Sequence, residues 1–286
     1  MPALVLNDRK IVHVDGAEAE HFLQNLITAN IETITAKDAW PTALLTPQGK
    51  VLFDFLISRA GETGYHCDIA ADCVDDFIRR LTLYKLRAAV TFDERDDLPV
   101  IAGWDGAAPV DALQDKRFPD DAGAWRLYGS GAVLDAERSA WDTVRIENSV
   151  AELGHDFAAS DVFPHDILLD KNGGVDFRKG CYVGQEVVSR MQHRGTARRR
   201  TVTVTSQTAL PASADAAISI MAGDRPVGTL ASVAGKVGLA IVRTDRVADA
   251  LAGDVALTVA GAPVTLTFPQ WTGLSFGTDD ETPADA

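Results

Sequence analysis

The densest concentration of chemistry in the 286-residue sequence lies between residues 171 and 200. Phe177-Arg178-Lys179-Gly180-Cys181-Tyr182-Val183-Gly184-Gln185-Glu186 leads into a stretch ending in Arg198-Arg199-Arg200. Residues 178–200 hold seven Lys or Arg against one Glu, a local charge of +6 in a chain of −14. After Gly180, the spacing of Val183, Val187, Val188 and Met191 predicts a helix, with Cys181 in its first turn. A thiol at a helix N-terminus beside Arg178 and Lys179 has a lowered pKa, because the dipole and both cations favour the thiolate. Cys181 is therefore a candidate reactive or ligating cysteine; the competing reading is a small buried residue packing helix against sheet. Cys67 shares a strand face with Tyr65 and Ile69 and reads as core, while Cys73 sits beside Asp72 and Asp75 in a field that opposes activation.

Asp54 is the second candidate. On one predicted strand Leu52, Asp54 and Leu56 share a face and Val51, Phe53, Phe55 and Ile57 share the other, so the carboxylate is expected to be buried. A buried carboxylate is paired, protonated or turned toward a ligand, and such groups concentrate at functional sites. Arg145 and Glu147, close together on a predicted helix, form a similar case, with a solvated helix face as the alternative. The sequence contains no Gly-x-Gly-x-x-Gly, Walker loop, Gly-x-Ser-x-Gly elbow or His-Glu-x-x-His, and none of its six histidines has a Cys-x-x-Cys companion. No protein-only metal site is expected.

These residues sit in an ordinary globular composition, 46% hydrophobic and 24% charged, whose length suggests two structural units or one large one. The excess of 41 Asp plus Glu over 27 Lys plus Arg opposes a general nucleic-acid or anionic-membrane coat. Three scattered cysteines do not make a secreted disulfide scaffold, and the first residues lack a signal peptide's basic and apolar regions. The expectation is a cytoplasmic protein without a membrane partner, since no apolar run approaches the ~20 residues of a bilayer span.

The elements that must position the candidates mix both periodicities. Asp15 with Glu18 resembles a capping box before a helix carrying Phe22, Leu23, Leu26 and Ile27. Runs at 40–46 and 50–57 flank Thr46-Pro47-Gln48-Gly49 and predict a hairpin. A strand at 65–70 leads to a helix capped by Asp72, and a strand follows at 87–92. Residues 93–121, with nine acids and three bases, read as an exposed connector around one short strand. A helix over about 135–153 ends at Gly154. Beyond residue 201, runs at 201–205, 216–222, 226–233, 236–243, 254–260 and 263–268 predict a small antiparallel barrel or sandwich. The expected class is α+β, with an α+β region over 1–198, of one body or two subdomains, a C-terminal β-barrel over 199–275 and an acidic tail over 276–286.

Lys179-Gly180-Cys181-Tyr182-Val183-Gly184-Gln185-Glu186 resembles the motif of the YgfZ-type proteins, folate-binding relatives of the glycine-cleavage T-protein (aminomethyltransferase) that act in iron-sulfur cluster assembly or repair. Phe22 through Thr28, Leu44 through Lys50, Arg80-Leu81 through Leu86-Arg87, Arg145-Ile146-Glu147, Gly228-Thr229 and Gly238-Leu239-Ala240 agree, so the resemblance spans most of the chain.

The resemblance implies a T-protein-like folate-binding body closed by a C-terminal antiparallel β-barrel, with tetrahydrofolate or a substituted form as cofactor. Asp54 looks like the carboxylate facing the folate N5 region and Glu147 like a pterin-recognising acid. Arg145, Lys179, Tyr182, Gln185 and Arg190 complete the expected folate-binding set, and Cys181 is the motif cysteine. Partners would be folate and iron-sulfur proteins or assembly factors, with an accessory role rather than turnover. Two departures matter. The Arg-Thr-Gly-Tyr-Thr-Gly-Glu segment of true T-proteins is absent, and Ser149-Val150-Ala151 stands where relatives have Gly-Ile-Pro. One candidate cysteine cannot hold a stable cluster alone. Two alternatives remain: a folate-dependent aminomethyl or methyl transferase, and an RNA-binding module using residues 178–200, although little aromatic interleaving is present to stack bases.

Overall fold

The computed structural model describes residues 2–212 and 217–277. Its contacts divide the chain into two units: Met1–Trp141 with Ala159–Pro164 and Leu169–Gln185, and Asp142–Ala158 with His165–Leu168 and Glu186–Ala286.

The first unit is built on a nine-stranded sheet. In chain order the strands are β1 (Ala3–Val5), β2 (Arg9–Asp15), β3 (Asp38–Leu45), β4 (Val51–Ala60), β5 (Gly64–Ala70), β6 (Thr91–Glu94), β7 (Val100–Gly103), β8 (Leu113–Asp115) and β9 (Trp125–Tyr128), arranged β1-β7-β9-β8-β3-β4-β5-β2-β6. All pairings are antiparallel except β3 with β8. Helices α1 (Ala19–Gln24) and α2 (Val74–Lys85) contribute Phe22, Leu23, Phe77 and Leu81 to a core with Phe53, Phe55 and Ile57 of β4. The predicted hairpin is the β3–β4 pair, in which Ala43 lies opposite Asp54.

Several local expectations are corrected. Asp15 spends its side chain on the Gly16 N–H and the Thr63 hydroxyl, and α1 starts at Ala19 with no side-chain cap; Glu18 instead accepts from the Ala89 N–H. Cys73, not Asp72, stands at the start of α2, and its side chain makes no capping bond. The strand predicted at 87–92 is displaced to β6. Residues 93–121 are no exposed connector: all four residues of β7 are buried, and so are Asp115 and Arg117.

That acidic stretch feeds a buried ion cluster. Asp115 pairs with Arg117 at 2.8 Å and with Arg126 at 3.4 Å; Asp68 pairs with Arg9 and, at 3.2 Å, with Arg126. The Arg126 guanidinium lies 4.7 Å from the Trp141 ring centroid. Opposite charges removed together from water hold one another, whereas either alone would be strongly penalised.

The second unit contains a closed barrel in the order β10-β13-β12-β11-β14-β15. Its strands are β10 (Arg199–Ser206), β11 (Ile218–Ala222), β12 (Arg225–Ala234), β13 (Val237–Arg243), β14 (Leu257–Val259) and β15 (Ala262–Thr267), one for each predicted run. A nine-residue helix between β13 and β14 (Thr244–Ala252) buries Val247 and Ala250 against the barrel core. The first residue of the predicted run 216–222 and, from residue 278, the acidic tail lie outside the described residues. The helix expected over 135–153, α3, runs only from Arg138 to Glu147, because Ser149 adopts a left-handed φ of 55° that ends the helical path well before Gly154.

Burial alone would raise the Asp115 carboxyl, but the guanidinia of Arg117 and Arg126 overcome it and hold the group below its ordinary value of 3.8. The stabilisation is therefore present above that value and is lost as pH falls through the lower folded-state value. Asp115→Asn is expected to cost about 3–5 kcal/mol at neutral pH and to flatten the acid limb of stability against pH. Urea midpoints measured from neutral to strongly acidic pH check both.

Candidate functional site

The motif loop is built from three attachments within the first unit. At its approach, Asp176 forms an Asx-type turn: its carboxylate accepts from the N–H groups of Arg178 and Lys179, at 2.6 and 3.1 Å. The Asp176 N–H in turn donates to the Thr28 carbonyl at 3.0 Å, and the buried Thr28 hydroxyl donates to the Gly174 carbonyl at 2.6 Å. In the middle, the Lys179 ammonium donates to the carbonyls of Ile27 and Ala29, at 2.8 and 2.7 Å. Its nitrogen lies 5.4 Å from the Tyr182 ring centroid. At the exit, Val183 packs against the main core and Gly184 lies against the hairpin turn. A Cβ at Gly184 would meet the Thr46 carbonyl oxygen at 2.5 Å, and its φ of +81° is one that side chains rarely adopt.

Cys181 stands between these attachments and is exposed, whereas Cys67 is buried and Cys73 half-buried. It is not in a first helical turn. The helix following the motif, α4, runs from Gln185 to His193, because the left-handed Gly184 interrupts the path from Cys181. The helix-dipole argument for the thiol falls with that geometry. The sequence pattern fails here for a simple reason: Val183 packs on the sheet core, which mimics the first position of a helical stripe. Burial, then Asp72 and Asp54, push the Cys73 thiol up to about 12, and burial likewise raises Cys67.

Asp54 is 8% exposed on β4, as its two-faced apolar strand implied. The loop around Cys181 thus docks on the turn of the same hairpin that carries Asp54. Tyr182 is buried, and desolvation raises its phenol. Gln185 is half-buried at the start of α4. Burial pulls Lys179 down to about 8, against the opposing pull of Asp176 and Glu32.

The remaining candidates belong to the second unit. Glu147 is exposed at the end of the helix Arg138–Glu147, and Arg190 is exposed on α4. Arg145 is not solvated: it is 2% exposed and donates to Asp156 at 2.6 Å, Asp142 at 2.8 Å and the Ser232 hydroxyl at 2.6 Å. Desolvation is outweighed by Asp156, Glu152 and Asp142, which hold it firmly charged. Arg145 and Lys179 therefore spend their donors on the protein, contrary to the expectation that both face folate. The basic stretch is thinned in the same way. Of its seven cations Arg178, Arg190, Arg194 and Arg198 are exposed, while Lys179 and Arg200 are buried. Asp176 is not among the residues singled out from the sequence, and Thr28 enters only within the segment Phe22 through Thr28; an Asp two residues before Arg178 and three before Lys179 is the Asx-turn signal that marks the first.

Among the described residues there is no group of three or more His, Cys, Asp or Glu placed to hold a metal ion, and no helix is long and apolar enough to cross a membrane.

Gly184→Ala is expected to lose about 1–3 kcal/mol through forced left-handed backbone and to expose the 181–185 segment to proteolysis. Limited proteolysis with mass spectrometry, run beside thermal unfolding, checks it.

Comparison with known proteins gives three findings. Residues 198–274 match the family described as CAF17, C-terminal beta-barrel domain. The chain is 33% identical over 217 residues to an "Iron-sulfur cluster assembly factor IBA57 homolog, mitochondrial" of Pyricularia oryzae, an alignment covering 68% of this chain and 55% of that protein. It is 27% identical over 275 residues to the Homo sapiens "Iron-sulfur cluster assembly factor IBA57, mitochondrial", covering 85% and 77%. The chain thus spans little more than half the length of some relatives it matches. The structure is similar to the crystal structure of glycine cleavage system aminomethyltransferase T from Bartonella henselae, with a TM-score of 0.70 over 93% of this chain and 84% of that one, at 14% identity. The T-protein-like α+β fold with its C-terminal barrel is as the motif resemblance implied, and these relatives agree with that resemblance.

Proposed function

We propose that this chain binds tetrahydrofolate and supports the assembly or repair of iron-sulfur enzymes, with Cys181 as its working thiol. The observation that carries the reading is an exposed cysteine on a loop fastened from both sides to the folded body, in a chain related to proteins named iron-sulfur cluster assembly factors. The relatives are named mitochondrial, whereas the sequence suggests a cytoplasmic protein.

The residues fit a folate in part. The Asp54 carboxylate is an acceptor, and a pterin offers an amino group and ring N–H donors to such a group. Of the cations expected for the anionic glutamyl tail, Arg145 and Lys179 are occupied by protein acceptors. When bound, tetrahydrofolate supplies a carrier for a one-carbon unit. The chain's own residues accept hydrogen bonds from the pterin through Asp54 and present the Cys181 thiol at the surface. A lone thiol meets a cluster only transiently or together with a partner's ligands, so the partners are iron-sulfur proteins or their assembly factors and the role is accessory.

Calorimetric titration with tetrahydrofolate tests the folate half, and restoration of iron-sulfur enzyme activity in a deficient strain tests the thiol. Asp54→Asn is expected to weaken folate binding tenfold or more, about 1.4 kcal/mol, while Cys181→Ala leaves affinity within twofold and abolishes restoration. Absence of folate binding by folded protein would remove the first claim, and full restoration by Cys181→Ala the second. Steady turnover of tetrahydrofolate with small methylated amines would instead identify a transferase.

A further inference from the structure

We propose that Lys179 is the positioning residue of the Cys181 loop, acting through its ammonium on the carbonyls of Ile27 and Ala29 and not as a ligand of folate. The role rests on the reading of Cys181 as the working thiol. A lysine ammonium has three donors and no acceptor capacity. Two of the three point at carbonyl oxygens at 2.8 and 2.7 Å, and the Tyr182 ring lies 5.4 Å from the nitrogen. The side chain is 8% exposed, so little of it faces water or an incoming ligand.

The acceptors explain why the bond joins two distant parts of the chain. Ile27 and Ala29 flank Thr28 in the segment after α1, which meets β3 through an isolated bridge from Ile27 to Leu44. The ammonium therefore ties residue 179 to a segment 150–152 positions earlier in sequence. Thr28 itself takes the adjoining attachment, from the Asp176 N–H. Cys181 is two residues downstream, and the next fixed points are Tyr182 and Val183 in the interior and Gly184 on the hairpin turn. With both flanks held, Cys181 has the outward direction left to it. Arg178, the neighbouring cation, is exposed and does not share this work. Removing the Lys179 ammonium takes from the Ile27 and Ala29 carbonyls the donor they share and releases one flank of the loop, while the Asx turn and the Gly184 contact persist.

The test is hydrogen–deuterium exchange read by mass spectrometry on the full chain, comparing wild type with Lys179→Met, Lys179→Gln and Lys179→Arg. Met keeps the aliphatic length without a donor, Gln keeps a neutral donor, and Arg keeps charge and donors. Exchange of amides in 176–184 is expected to rise tenfold or more in Lys179→Met, with the β4 and barrel amides unchanged. Lys179→Arg should return it to within threefold of wild type, with Lys179→Gln between. In the deficient strain, Lys179→Met should restore iron-sulfur enzyme activity at one fifth of wild type or less and Lys179→Arg at half or more. Folate affinity should stay within twofold in every variant. Unchanged exchange in Lys179→Met, failure of Lys179→Arg to rescue, or a tenfold loss of folate affinity would overturn the assignment. If Lys179→Met does not fold, the Arg–Gln contrast decides. Exchange needs neither folate nor a client enzyme, so a loop that loosens as expected while Cys181→Ala still restores activity counts against the thiol and not against the clamp.

Discussion

A buried ammonium is among the costliest groups a protein can hold, because nothing inside a fold replaces its water except oxygens brought to it in the right places. Lys179 meets that demand with two main-chain carbonyls from residues 27 and 29. The requirement works in both directions. The segment after α1 must turn those oxygens toward residue 179, and the motif loop must return to within a side chain's length of it. Thr28, Asp176 and the close contact at Gly184 then make one register of the loop far more favourable than its neighbours. The exposure of Cys181 is a consequence of where its neighbours are fixed.

The same physics explains why counting charges along the sequence misplaced them. A local charge of +6 in an acidic chain reads as a positive surface, yet Lys179 and Arg200 are interior and Arg145 is enclosed by Asp142, Glu152 and Asp156. The acidic excess of residues 93–121 likewise includes Asp115, which is buried and holds Arg117 and Arg126. Buried charge in this protein is met by counter-charges, as at Asp115 and Arg145, or by main-chain carbonyls, as at Lys179 and Arg200. Of the basic stretch, Arg178, Arg190, Arg194 and Arg198 remain exposed.

The strand pattern was legible wherever a two-residue period met a turn signal: the β3–β4 hairpin, the burial of Asp54 and all six barrel strands could be read directly. The short elements were harder. The start of α4 was misread because Val183 is apolar for the sake of the sheet core, and helix ends at Glu147 and Cys73 depend on left-handed or uncapped backbone that side-chain type does not reveal. Residue identity marked Lys179, Tyr182 and Cys181 as belonging together. It did not reveal that the lysine turns inward and the cysteine outward, since that depends on carbonyls 150 residues away. The Asp68 partner of Arg126 comes from a distant strand, whereas the partners of Arg145 are local, Asp142 on the same helix and Glu152 and Asp156 within eleven residues beyond it.

Presentation of one thiol is the claim on which the account stands, and site-resolved alkylation of the native protein measures it most directly. With iodoacetamide at neutral pH, Cys181 is predicted to be modified at least tenfold faster than Cys73, whose thiol burial holds near 12, and Cys67 is predicted to react only after unfolding. Equal rates at Cys181 and Cys73, or a Cys181 that reacts only in denaturant, would contradict the account.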